Sequence, residues 1–400
     1  MRRALVAALL VFPLSILSGC GSGLPAGTRW VAAWGAAMQG TAAGPHGPLP
    51  GDRAIDQTLR LIAPLTAGGD HVRVRLSNVY GASGARFQSI TVAVRSHGAA
   101  LMPATVQPVT FQGSRSVTLA PGSEATSDPV ALALGAGQDL AVSLYVRGSS
   151  PVATLHVSQP TTSYFTAPGA GDATGDTGGQ RFARASRLVP WLTAVDVLSR
   201  EERGALVALG DSLTDGAGLP PDRDARWTDQ LAARLQSLPS GRREAVVNEG
   251  IAGDSLTLAH SIPSGADRFA RDVLGQSGAN EVVLALGIED VAAGVSAAAI
   301  EQAMLAIVRQ SRKDGVRVYA ATLVPAALAA SERQVRLALN RWIRMSPSFD
   351  GVIDLDAALR DPLHRERLAP RYDSGDHVDP NAAGVRAIAR VAAAALAGRG

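Results

Sequence analysis

The sequence is short of cysteine, lysine and aromatic side chains, and each shortage removes a class of explanation. Cys20 is the only cysteine in 400 residues, so no intramolecular disulfide braces the fold. Lys313 is the only lysine, arginine carries nearly all the positive charge, and the formal net charge is only +3. With no basic run interleaved with aromatics, the electrostatic footprint of a nucleic-acid partner is missing. Aromatic residues make up 4% of the chain, and none cluster between residues 30 and 198 as a platform for sugar rings. No repeat of roughly 20 to 50 residues marks a solenoid. No biased stretch marks a disordered tail.

What is present begins with a leader. Arg2 and Arg3 precede an apolar stretch from Ala4 to Leu17, the plan of a secretory signal, and the stretch is too short to span a bilayer comfortably. It ends in Leu17-Ser18-Gly19-Cys20, which resembles the lipobox of bacterial lipoproteins. Residues 1–20 are therefore expected to be a lipoprotein signal peptide, with Cys20 as the lipidated residue that anchors an exported chain to a membrane of the bacterial cell envelope. Residues 21–29, with Gly and Pro, read as a tether. The alternative is an ordinary signal peptide whose removal leaves a single thiol.

Four hundred residues exceed what one hydrophobic core usually organises, so two domains are expected. Residues 30–200 carry short alternating runs broken by turn residues, the pattern of an all-β sandwich. In Val72 to Ser77 the apolar Val72, Val74 and Leu76 alternate with Arg73, Arg75 and Ser77. Further runs are read at 90–94, 109–111, 117–119, 130–134, 140–146 and 153–157. Residues 201–400 change to strand, loop and helix in repetition, which predicts an α/β domain with a parallel sheet covered on both faces. Strands are expected at 205–209, 245–248, 282–286, 316–322 and 352–355. Helices are expected at 227–238, 297–314, 331–345 and 382–397, the last capped by Asn381.

Directly after the first of these strands comes Gly210-Asp211-Ser212-Leu213-Thr214-Asp215-Gly216. A serine in a tight turn at the end of a strand projects its hydroxyl at the carboxyl edge of the sheet, where open α/β folds bind ligands. Alone, Gly-Asp-Ser is as well explained by a turn or a helix cap. Its context adds Trp30-Val31-Ala32-Ala33-Trp34, Val72 to Asn78, Ser127-Asp128-Pro129-Val130, Arg226-Trp227-Thr228-Asp229, Asn248 to Gly253, Arg271 to Leu274, Asn340 to Arg344 and Tyr372 to His377, in that order along the chain.

With these blocks the sequence resembles the GDSL/SGNH hydrolase (esterase) family, in particular secreted bacterial members with an N-terminal β-domain. The resemblance implies an SGNH-type, flavodoxin-like sheet sandwiched by helices. It also implies a serine nucleophile, Ser212, attacking an ester carbonyl. The oxyanion would be held by the backbone N–H groups of Ser212 and Gly253 and by an asparagine amide. A histidine oriented by an aspartate three residues earlier, here Asp376, would act as base.

Two chemical positions depart from that pattern. Glu289 stands where the asparagine is expected, and Asp379 stands where the histidine is expected. An ionised glutamate has acceptors only, and losing one oxyanion donor costs about 3 to 4 kcal/mol. Its charge also repels the developing oxyanion by roughly 4 kcal/mol at 4 Å and an effective dielectric near 20. A carboxylate is a weaker base than imidazole and a poor acid at neutral pH. His377 is accounted for by the family pattern without a catalytic role. His46, His71, His97, His156, His260 and His364 lie outside the blocks, with a surface or structural role as the default reading.

Three functions follow. The first is a catalytically impaired member that binds an acylated glycan, another envelope component or an envelope protein. The second is a working hydrolase of small esters or carbohydrate O-acyl groups with a rewired centre around Ser212. The third is a divalent-cation site built from Asp211, Glu289, Asp290, Asp376 and Asp379; it is the weakest, because Asp211, Asp290 and Asp376 are expected to bind loop backbone. The favoured reading calls for no cofactor and no metal. The β-domain is read as a structural partner in preference to a carbohydrate-binding module.

Overall fold

The computed structural model describes residues 26–40, 49, 52–157, 160–259, 262–375, 377 and 379–397. The expected leader with Cys20, most of the expected tether, and His46, His260 and Asp376 lie outside the described residues.

The N-terminal part is built of antiparallel strands. One sheet centres on the Arg53–Pro64 and Asp139–Pro151 strands, the other on Gly69–Ser77 and Leu192–Ser199. Their inward residues, among them Leu59, Leu61, Leu140, Val142, Val72, Val74 and Val197, belong to one buried cluster, so the two sheets form a sandwich. The long Arg53–Pro64 strand escaped the sequence reading for a physical reason. Residues 57 to 63 are all buried, and a strand covered on both faces shows no alternation. The run at 109–111 was expected to be a strand. The strand there is only Gln107–Pro108, paired with Ser89–His97; Val109 N–H still donates to the Ile90 carbonyl at 2.9 Å, and Phe111 turns back into an isolated bridge with Ser114.

The C-terminal part contains a five-stranded parallel sheet in the order Arg243–Gly250, Glu202–Gly210, Ala279–Ala285, Arg317–Ala321, Gly351–Ile353. This is the flavodoxin-like order 2-1-3-4-5, whose switch point lies between the first and third strands in sequence. Every strand and helix expected here is present, with bounds shifted by a few residues. Leu206, Ala208, Val246 and Val283 face the helices Trp227–Gln236 and Ala382–Ala397. Asn381 caps the last helix, accepting from the N–H groups of Ala383 at 2.9 Å and Gly384 at 3.2 Å.

The opposite face, with Ala205, Val207, Leu209, Val247, Val282 and Leu284, shares one continuous buried cluster with the β-sandwich. The charged face of the Gly69–Ser77 strand is therefore not a solvent face. Arg73 donates to Asp196 and to Ser277, each at 2.8 Å, and Arg75 donates to the Gly275 carbonyl at 2.8 Å. Arg271 reaches back to the Tyr80 hydroxyl at 2.7 Å and the Met38 carbonyl at 3.1 Å. The edge strand Arg243–Gly250 is also covered, since Val246 N–H donates to Thr66 Oγ1 at 3.1 Å. A shared apolar core with paired charges across it holds the sandwich against the α/β domain.

Candidate functional site

Ser212 begins a one-turn helix, Ser212–Asp215, at the carboxyl end of the Glu202–Gly210 strand. Asp211 caps the turn, its side chain accepting from Leu213 N–H at 3.1 Å. Thr214 and Asp215 of the same turn are buried, while Ser212 remains half-buried at the surface of a cavity. The turn lies so close to the neighbouring strand that a Cβ at Gly250 would overlap the Asp215 backbone nitrogen.

The cavity has a volume of about 180 Å³, and its wall includes Asp211, Ser212, Glu289 and Asp379 together with apolar groups such as Ile288, Leu323, Val324 and Leu355. Glu289 lies in the first turn of the Ile288–Ala292 helix, entered through Gly287 at φ +125°, a conformation that strongly favours glycine. Two acidic residues from separate segments, Glu289 and Asp379, thus stand in the same cavity as the serine. They have different neighbours from Asp290, which points away and accepts from Leu256 N–H at 2.6 Å and from Thr257 N–H at 2.8 Å. Asp211 and Asp290 bind loop backbone as the sequence suggested. Among the described residues, no group of three His, Cys, Asp or Glu side chains is placed to hold a metal ion.

Gly253 occupies the loop after the Arg243–Gly250 strand at φ +76° and is not part of the cavity wall. Asp376 lies outside the described residues, so its expected role stays with the sequence. His377 is turned outward. Its Nδ1 sits 2.6 Å from Asp373 Oδ2 with the ring 77% exposed, and it lines a different cavity beside Asp373. No described imidazole bonds to the Ser212 hydroxyl.

The electrostatics register this crowding of carboxylates. Burial pushes the Asp211 carboxyl up to about 7; the Leu213 N–H opposes that rise, and the nearby charges of Glu289, Asp379 and Asp254 add to it. An ionisable group titrating near neutrality in a cavity, here next to Ser212, is a common mark of a functional site.

Four residues that hold the site were not picked out for it by the sequence: Arg268 and Asp254 were not singled out, Asp272 entered only within the Arg271 to Leu274 block, and His156 was given a surface or structural role. Arg268, fully buried, pairs with Asp254 at 2.7 Å and Asp272 at 3.1 Å. His156, from the β-sandwich, contacts Asp215 of the Ser212 turn at 3.1 Å. Arg268 carries no local signal beyond a charge in an apolar helix. His156 carries none, because its partner is 59 residues away in another domain.

Three solved structures are similar to part of the chain. One is a GDSL-like lipase from Bacteroides thetaiotaomicron VPI-5482, at 17% identity and a TM-score of 0.37, over 49% of this chain and 88% of that one. Another is a carbohydrate acetylesterase from Sinorhizobium meliloti, at 15% and 0.39, over 48% and 98%. The third is an alpha/beta hydrolase enzyme from the metagenome of Lake Arreo, Spain, at 22% and 0.39, over 49% and 96%. Likeness at this level says nothing about substrate. No curated protein matches the chain. Residues 208–387 match the profile of the GDSL-like lipase/acylhydrolase family, a span that runs from the strand before Ser212 into the last helix.

Proposed function

We propose that this chain is an exported envelope lipoprotein, anchored through Cys20, whose GDSL domain binds an acylated glycan or another ester-bearing envelope component without hydrolysing it efficiently. The observation that carries the reading is the shared cavity of Ser212, Glu289 and Asp379. Acyl transfer needs a hydrogen-bond donor for the oxyanion and a base near neutrality, and a carboxylate is neither a donor nor a base of the right strength. Loss of a triad member can lower turnover by about a millionfold.

The cavity's size narrows the ligand. At about 180 Å³ it resembles in volume a protein cavity of roughly 150 Å³ that holds benzene, so it suits a short acyl group such as acetyl better than a long chain. The alcohol part of the ester, a sugar in this reading, would remain outside. The decisive experiment is hydrolysis of p-nitrophenyl acetate by the purified protein. The reading expects rates near background; ordinary esterase rates abolished by Ser212→Ala would end it.

One observation favours a second reading, a rewired hydrolase. With Asp211 at about 7 and two further carboxylates in the same cavity, the group can retain a proton near neutrality, supplying both a donor and an acceptor, as paired carboxylates do. That enzyme would lose activity when Asp379 and Glu289 are replaced by His and Asn, whereas the impaired protein would gain it.

A further inference from the structure

We propose that His156 of the β-sandwich is a positioning residue for the Ser212 site: paired as an imidazolium with Asp215, it locks the turn that carries Ser212 and, through Asp215, the loop that carries Gly253. The proposal rests on the reading above only in treating the Ser212 cavity as the ligand site.

The ring's surroundings fix its protons. His156 Nδ1 lies 2.8 Å from the Ala37 carbonyl oxygen, which can only accept, so Nδ1 carries a hydrogen. Nε2 lies 3.1 Å from Asp215 Oδ1. A neutral ring would then present a lone pair to a carboxylate oxygen in a buried place. Both side chains are nearly inaccessible, at 2% and 4%, where two acceptors facing each other are costly. A second proton must therefore lie between them, and the pair is formally an imidazolium beside a carboxylate.

Asp215 transmits the contact. Its other oxygen accepts from Ala252 N–H at 3.2 Å, next to Gly253, and its own N–H donates to the Asp211 carbonyl at 2.9 Å. One carboxylate thus joins the nucleophile turn, the expected oxyanion loop and the β-sandwich. Arg226 also feels the charge of Asp215, but it is held mainly by Asp229 through hydrogen bonds of 3.0 to 3.2 Å. Arg226 belongs to the same domain as Asp215; His156 is the cation that reaches it from the sandwich.

The sandwich is shaped to deliver the ring. His156 ends a short strand, Thr154–His156, held between Gln39–Gly40 and Val189–Pro190. The chain leaves this small sheet through Trp191 at φ +61°, fully buried, a conformation that costs a bulky residue about 1 to 3 kcal/mol. Such a cost persists where the surrounding structure over-determines it.

The test uses the full-length protein without any ligand, so it stands or falls independently of what the cavity binds. In ¹⁵N spectra at pH 7, His156 should show both ring nitrogens protonated, and Asp215→Asn should convert the ring to a singly protonated form. In hydrogen exchange, His156→Gln, which can keep a hydrogen bond but not the charge, should speed exchange of residues 212–216 and 251–254 by roughly tenfold or more, while the Ala297–Lys313 helix keeps its protection. If His156→Gln does not fold, Asp215→Asn supplies the same exchange comparison. A singly protonated His156 in the native protein, or unchanged exchange in both segments, would overturn the proposal.

Discussion

The guanidinium of Arg268 lies 2.7 Å from the carboxylate of Asp254, with neither side chain exposed. The same guanidinium donates to the carbonyl oxygens of Glu249 at 2.8 Å and Gly210 at 3.2 Å. Gly210 directly precedes Asp211 and Ser212, and Glu249 lies on the strand that leads to Gly253. One buried cation therefore ties together the ends of both strands that feed the site.

Removing that cation should be expensive. Arg268→Met leaves Asp254 buried without its cation and Asp272 with Arg271 alone, and stranding a buried carboxylate in this way costs about 3 to 5 kcal/mol. Arg268→Lys should recover little, since an ammonium cannot reproduce the fork that serves two carboxylates and two carbonyls. Urea denaturation of the two variants checks this. A loss below about 1 kcal/mol for Arg268→Met would mean that the network is not under the strain of burial described.

Restoring the family's chemistry should restore its reaction. The double variant Glu289→Asn, Asp379→His supplies an amide donor and an imidazole in the cavity that holds Ser212, and kcat/KM for p-nitrophenyl acetate should rise by about a hundredfold or more. Adding Ser212→Ala should remove the gain. An unchanged rate in the double variant would point to a defect elsewhere, such as a displaced Gly253 loop.

Asp211 predicts a pH dependence of stability with a definite sign. Its folded carboxyl sits at about 7 against an ordinary 3.8, so between those values the folded state holds a proton that the unfolded state has lost. Stability from this group is present at low pH and falls as pH rises from about 4 to about 7. Asp211→Asn keeps an oxygen for the Leu213 N–H and removes the titration. Its stability relative to the native protein should grow from pH 4 to pH 8, with a ceiling of about 4 kcal/mol. A difference that does not change with pH would contradict the assignment.

Gly250, at the end of its strand, and Gly253, in the loop that follows, should respond differently to a methyl group. At Gly250 a Cβ would run into the backbone of Asp215 and Thr214, which cannot yield without moving the Ser212 turn, so Gly250→Ala should cost about 1 to 3 kcal/mol and disturb the site. At Gly253 nothing lies within 4 Å of a Cβ, and only the positive φ is strained, at about 1 kcal/mol. Thermal melts of both variants give the comparison; equal losses would refute it.

The α/β domain was legible because its signals are local. Strands such as Val282 to Leu286 are runs of apolar residues, helices such as Ala297–Lys313 place Ile300, Met304, Ile307 and Val308 on one face, and Asn381 announces its helix by its side-chain chemistry. The Arg53–Pro64 strand was not legible, because burial on both faces erases the alternation that reveals a strand. The two acidic replacements were visible as letters. Their convergence on one cavity was not, since Glu289 and Asp379 are 90 residues apart in the chain.

The sequence by itself determined the family blocks, the parallel order of strand and helix, and the identities of Ser212, Glu289 and Asp379, because periodicity and residue chemistry act over a few positions. Only the tertiary structure decided that the arginines of the Gly69–Ser77 strand face the second domain, that His377 turns outward to Asp373, and that His156 meets Asp215. Those outcomes depend on which distant surfaces exclude water together, and the cost of burying a charge is set by a partner that no local stretch of sequence can name.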